Sequence, residues 1–213
     1  MCTGKCSLCI AISLYPLVLM SILCNTLLFF PGWSVKYVQE DHITQEVKYM
    51  GGIIGGGVMV LITAFYVHLI GERGCCGNRL GMFFSIVFAA VGVAGAVYSF
   101  IVALVGLSSG PLCFTDEGKW DTPFSNSYVT NHATWTQCKE PKEVVQFNIG
   151  LFISLAVASV LQALLCAAQV INGIFGCICG TCNKQPTLPH STVLLSCSMN
   201  KIFILQTKYL DKT

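Results

Sequence analysis

Four intervals of this sequence, residues 6–35, 49–71, 80–115 and 144–183, contain no Asp, Glu, Lys or Arg. Each is long enough to hold the roughly 20-residue helix that crosses about 30 Å of hydrocarbon. Lipid offers the backbone no hydrogen-bonding partner, so such stretches cross as helices, whose N–H and C=O groups satisfy one another. Across the whole chain only 10% of residues are charged while 54% are hydrophobic, against about 25% charged in an average soluble domain. Too few polar side chains remain to cover a water-soluble body of this length. The competing arrangement, four helices buried in a soluble bundle, needs a polar face on each helix. The fold expected is therefore all-α: a polytopic membrane protein built as a four-transmembrane-helix bundle, with spans at about 10–30, 49–70, 82–107 and 147–176.

Lys5 ahead of an apolar run has the look of a secretory signal. The run at 10–30 is longer than a typical h-region and ends in Phe-Phe-Pro-Gly rather than at a small-residue cleavage site. It reads as a retained first span. An even number of spans puts both termini on one side. Lys5, Arg73, Arg79, Lys184, Lys201, Lys208 and Lys212 share that side with the short middle loop, whereas Lys36, Lys48, Lys119, Lys139 and Lys142 lie on the other among eight acidic residues. Cytosolic loops gather Lys and Arg close to the spans, and acidic residues count little. Arg73 and Arg79 in the short loop thus place that loop and both termini in the cytosol, although Lys48 and Lys142 run against the trend.

The loop at 108–146 is the longest connection, and a long loop between packed elements is a candidate functional one. It holds Trp120, Phe124, Tyr128 and Trp135, and no Asn-x-Ser/Thr glycosylation acceptor. Gly110-Pro111 and Glu140-Pro141 bracket it, each proline turning the residue before it away from helix. Its two cysteines, Cys113 and Cys138, form the natural disulfide pair if the loop faces an oxidising compartment; two independent thiols are the alternative. A bridge there contributes on the order of 3 kcal/mol by restricting the unfolded loop.

Cys2, Cys6, Cys9, Cys75, Cys76, Cys177, Cys179 and Cys182 all fall beside spans on the expected cytosolic side. Cytosol disfavours structural disulfides, and cysteines beside spans are candidate sites of S-acylation, each buried methylene adding about 0.8 kcal/mol of membrane attachment. Zinc is the competing reading, because Cys6-x-x-Cys9 and Cys179-x-x-Cys182 have the spacing of tetrahedral half-sites. No histidine completes either half, so no metal site is assigned. Cys24 and Cys166 fall inside spans and read as small apolar residues.

Within the second span, Gly51/Gly55 and Gly52/Gly56 repeat at four residues and bare the backbone on adjoining faces for close helix approach. The third span offers Gly92 and Ala96 in the same way. The glycine run lacks the Gly-Lys-Ser/Thr ending of a phosphate loop. In the fourth span Gln162, Cys166 and Gln169 share one face, with Asn172 a turn further on. Turned toward lipid, these amides would forfeit hydrogen bonds, so the face is expected to point into the bundle, toward Asn25. His68 sits near the end of the second span and reads as a boundary residue. No acid, base and nucleophile are grouped anywhere, and the acidic residues of the loops read as solvated faces. No basic cluster or motif points to nucleic acid, and no cofactor is implied. The segment at 183–213, with Pro186, Pro189 and a short apolar run, reads as a disordered cytosolic tail.

Taken in order, several short motifs resemble the four-transmembrane L-six membrane-antigen family. They are Met1-Cys2-Thr3-Gly4-Lys5-Cys6 with Cys9, Leu28-Phe29-Phe30-Pro31-Gly32, the Gly51 to Gly57 run, Cys75-Cys76-Gly77-Asn78-Arg79, Gly110-Pro111-Leu112-Cys113, Trp135 with Cys138, Glu140-Pro141 and Gln169-Val170-Ile171-Asn172-Gly173. The match covers residues 1–182. A true tetraspanin carries Cys-Cys-Gly in its large outer loop, whereas Cys75-Cys76-Gly77 lies in the middle one; a claudin places its large loop after the first span. The chain departs from the usual pattern at Asn148-Ile149-Gly150, which looks like a lost glycosylation acceptor, and in its tail.

The resemblance implies internal termini, a surface or endomembrane location, and membership in complexes with integrins, receptors and tetraspanins that influence adhesion, migration and growth. The leading expectation is a noncatalytic membrane organiser or adaptor. The alternative is a transporter, channel or small-molecule sensor that uses the Asn25, Gln162 and Gln169 interior.

Overall fold

In the computed structural model, residues 3–30, 45–73, 79–114, 120–121 and 144–178 are described. Helix α1 spans Thr3–Leu28, α2 Gln45–Lys48 and α3 Gly51–Ile53. A π-helical segment, Ile54–Met59, joins α3 to α4, Val60–Arg73. Helices α5 and α6 span Arg79–Ser109 and Val144–Ile178. Four stretches are long and apolar enough to cross a membrane: Cys6–Leu28, Glu46–Glu72, Leu80–Ser109 and Val144–Cys177. All four outreach the expected spans at one end or both, because polar and charged residues at a span's rim do not stop a helix that can carry them into the lipid headgroups. Among the described residues, the departure from an all-helical chain is a small antiparallel ladder. Strand β1, Cys113–Phe114, pairs with β2, Trp120–Asp121, setting Cys113 opposite Asp121.

Each span packs mainly on two neighbours, in the cyclic order first, second, third, fourth, and the π segment of the second also touches the fourth. The closest-built seam joins the third and fourth. Along α5 the buried residues Ser85, Ala89, Gly92, Ala96, Ser99, Ala103 and Gly106 alternate spacings of four and three, and every one is small. Along α6, Phe152, Leu155, Ser159, Gln162, Cys166, Gln169 and Gly173 keep the same rhythm. A strict seven-residue repeat holds one face of each helix against the other, as in left-handed coiled coils. The register is antiparallel: Gly106 lies against Phe152, the Ser159 hydroxyl bonds to Ser99 at 2.9 Å, and Gly92 lies against Cys166. Small residues on one side let the two backbones approach, which is how helices associate where lipid supplies no hydrophobic drive.

The core falls into two layers. One gathers Ile10, Leu14, Val60, Ala64, Ala158 and Leu165; the other, nearer the loop base, gathers Met20, Leu28, Val47, Ala103, Leu151 and Leu155. Cys113 and the first turn of α6, Val144 and Val145, form a third small cluster that seats β1 on the fourth span. Facing outward are Leu19, Leu23, Ile62, Phe65, Phe83, Ile101, Leu164 and Phe175, each at least 50% exposed. So continuous an apolar surface is stable only in lipid.

The second span is not one uniform helix. Met50 has φ 50° and ψ 34°, in the left-handed region, and interrupts the helix between α2 and α3. Two contacts to α5 hold the interruption: the Tyr98 hydroxyl donates to the Tyr49 carbonyl at 2.9 Å, and the Ser109 hydroxyl donates to Glu46 Oε1 at 2.8 Å. The π segment follows directly and contains three of the glycines of the run.

Candidate functional site: a buried polar ladder

The interior of the bundle carries polar side chains in a row, and from Ser159 onward they fasten α6 to other spans. At the first step Asn148 is buried near the start of α6, with its Oδ1 lacking a protein partner. Next, Ser159 donates to the Leu155 carbonyl at 2.8 Å and accepts from the Ser99 hydroxyl at 2.9 Å. One turn on, Gln162 Nε2 donates to the Gly56 carbonyl at 2.9 Å and to the Ser21 hydroxyl at 3.2 Å, linking the fourth span to the second and first. A heptad further, Gln169 Nε2 donates to Ser7 at 3.1 Å and Ser85 at 2.8 Å, and Asn172 Nδ2 donates to Ser7 at 3.0 Å. Gln162 and Gln169 are both fully buried. An amide buried in hydrocarbon without partners is costly, so the ladder fixes which faces of the helices meet.

Glycine makes the approach possible. A Cβ at Gly52 would stand 2.7 Å from the Ser21 carbonyl, and one at Gly56 would stand 3.0 Å from the Ser21 hydroxyl. Gly51 faces Val102, and Gly55 lies directly on the Gly95 carbonyl, so the two glycine pairs address different neighbours: Gly51 and Gly55 the third span, Gly52 and Gly56 the first and fourth. Gly92 lies against Cys166 and Thr63, while Ala96 is fully buried in the core layer with Leu165. Thr63 extends the polar row sideways by donating to the Phe88 carbonyl at 2.7 Å.

Asn25 makes no direct hydrogen bond to Gln162, although both reach the glycine run of the second span. Its Oδ1 accepts the Gly52 N–H at 2.8 Å. The interruption at Met50 is the cause: a helix that restarts at Gly51 begins with N–H groups that have no partner in the preceding turn, and the nearest acceptor on the first span takes one. His68 lies near the end of α4, with its Nε2 3.3 Å from Glu72 Oε1.

The hydroxyls of Ser7, Ser21, Ser85, Ser99 and Ser159 were not among the residues singled out from sequence. Their signal lies in spacing: Ser85, Gly92, Ser99 and Gly106 recur every seven residues in an otherwise bulky apolar run.

Of the cysteines, Cys113 is fully buried and its sulfur is disulfide-bonded; Cys138 lies outside the described residues. Cys6 and Cys177 are half-buried and Cys9 is exposed, all at the end of the bundle where Ser7 meets Asn172. Cys2, Cys75, Cys76, Cys179 and Cys182 lie outside the described residues, as do Phe124, Tyr128, Trp135 and the tail. Among the described residues, no three His, Cys, Asp or Glu side chains are grouped to hold a metal ion.

The L6 membrane protein family profile matches residues 1–183. Transmembrane 4 L6 family member 4 of Mus musculus is 44% identical over 191 residues, covering 85% of this chain and 94% of the relative. Family member 1 of Homo sapiens is 40% identical over 193 residues, with 85% and 96% covered, and Homo sapiens family member 5 is 39% identical over 198 residues, with 89% and 100% covered. No solved structure matches the chain. Four apolar spans, their glycine-assisted packing and this extent of similarity together make the chain a member of the L6 membrane protein family.

Proposed function

We propose that this protein is a noncatalytic membrane organiser or adaptor, which holds integral membrane proteins such as receptors, integrins or tetraspanins together and so modulates adhesion, migration or growth signalling. The observation that carries the reading is the use made of the interior polar groups. Gln162 and Gln169 bond to side chains or backbone of the other three spans, and a Cβ at Gly92 would come within 2.8 Å of the Cys166 sulfur. Such an interior fastens helices; the transporter, channel or sensor alternative needs the same face to line an open path. What remains for function is the outside of the bundle and the loop seated on it. In this reading the loop faces outward and is braced by a Cys113 to Cys138 bridge, both termini are cytosolic, and acylation at some of Cys2, Cys6, Cys9, Cys75, Cys76, Cys177, Cys179 and Cys182 biases the lipid neighbourhood at the plasma membrane or an endomembrane.

The test is proximity labelling in native membranes followed by copurification in detergent, comparing wild type with a Cys113→Ser/Cys138→Ser variant at equal surface abundance. The expected result is a reproducible set of integral membrane partners that shrinks in the variant. Recovery of no reproducible partner, or an identical set from both proteins, contradicts the proposal.

A further inference from the structure

Gln162 and Gln169 stand one heptad apart on α6, both fully buried, yet their hydrogen bonding is unequal. At Gln169 both ends of the amide are used: Nε2 donates to Ser7 and Ser85, and Oε1 accepts from Asn172, three residues on, at 3.5 Å. The residue three on from Gln162 is Leu165, which has no donor to offer. Gln162 Oε1 is accordingly buried without a protein partner. Flipping the amide does not help, because the Nε2 group faces the Gly56 carbonyl and a reversed amide would oppose two oxygens.

Asn25 has the opposite remainder. Its Oδ1 is committed to the Gly52 N–H, which fixes the amide's sense in the same way, and its Nδ2 is buried without a protein partner. The Ser21 hydroxyl cannot serve either group as donor, since it already donates to the Leu17 carbonyl at 3.0 Å. Two adjacent levels of the ladder therefore hold one unused donor and one unused acceptor, each oriented by a backbone group. Buried polar atoms without a protein partner are commonly satisfied by ordered water.

The spacing suits one water. Ser21 and Asn25 are one turn apart on α1, about 5.4 Å along its axis, and they face Gly56 and Gly52 on the second span. Two hydrogen bonds laid end to end cover about 5.6 Å. The walls are close, with a Cβ at Gly52 only 2.9 Å from Leu155 Cδ1, so the occupant is small. We propose that a single resident water accepts a hydrogen bond from Asn25 Nδ2 and donates one to Gln162 Oε1, completing the link between the first, second and fourth spans.

The test uses the full chain in lipid nanodiscs with ¹⁵N-labelled asparagine, reading cross-relaxation between side-chain amide protons and water. The Asn25 signals are identified by their loss in Asn25→Ser. The expected result is a cross-peak from Asn25 Nδ2 protons to a long-lived water in wild type, reduced several-fold in Gln162→Met while the Asn172 side-chain signals are retained as the control for folding. An Asn25 amide that cross-relaxes only with protein protons overturns the proposal, and this arm needs no glutamine variant. So does a water cross-peak that persists undiminished in folded Gln162→Met.

Discussion

At the scale of single residues, Asn25 and Met50 carry opposite halves of one problem. An interruption inside a span exposes backbone groups that lipid cannot satisfy. Met50 makes the interruption by adopting a left-handed conformation, and Asn25 answers part of it by accepting the Gly52 N–H. Replacing Asn25 with Leu leaves that N–H buried and unpaired, at a cost of about 1–3 kcal/mol; the expected outcome is a lower thermal unfolding midpoint in nanodiscs with insertion unchanged. A β-branched residue at a positive φ is a steric outlier. Met50→Val is therefore expected to lose about 1–2 kcal/mol on the same measurement, while Met50→Gly, which adopts the conformation without that clash, stays at or near the wild-type midpoint.

At the scale of elements, the third and fourth spans make the frame on which the rest packs. The small residues of α5 sit on the seam side, so bulk added there meets its neighbour across the interface. Gly92→Leu places a side chain where a Cβ alone comes within 2.8 Å of Cys166 Sγ and Thr63 Oγ1, and overpacking of that kind costs about 1–3 kcal/mol. Ala90→Leu, on the exposed face of the same helix, is expected to leave the midpoint unchanged, so the pair of variants separates seam packing from helix propensity. The spans were legible in the sequence because charge is excluded from hydrocarbon so strongly that its absence marks them. Gly52, Gly56, Gln162 and Gln169 were legible as an inward set because their spacing puts them on common faces. The break at Met50 was not, since methionine has no preference for that conformation and the docking of Tyr49 by Tyr98, far along the chain, imposes it. The serine partners escaped for a related reason: one hydroxyl in an apolar run can bond back to its own helix, as Ser21 does to Leu17, and only the facing helix decides whether it also bonds across.

At the scale of the whole molecule, an apolar jacket surrounds a polar ladder, and a loop base rests on one end. The family profile covers residues 1–183 and ends near the point where the fourth span does, so the similarity to other L6 proteins belongs to the bundle and its loops. The central claim is that the ladder fastens helices and conducts nothing. Cys166 reports on it directly, for it lies on the ladder face between Gln162 and Gln169 and is fully buried. The measurement is modification of Cys166 by a small membrane-impermeant thiol reagent, applied to both faces of intact membranes and read at that residue by mass spectrometry. A packed bundle predicts that Cys166 stays unmodified until the protein is unfolded. Modification in the folded protein, from either face, would show an aqueous path along the ladder and contradict the claim.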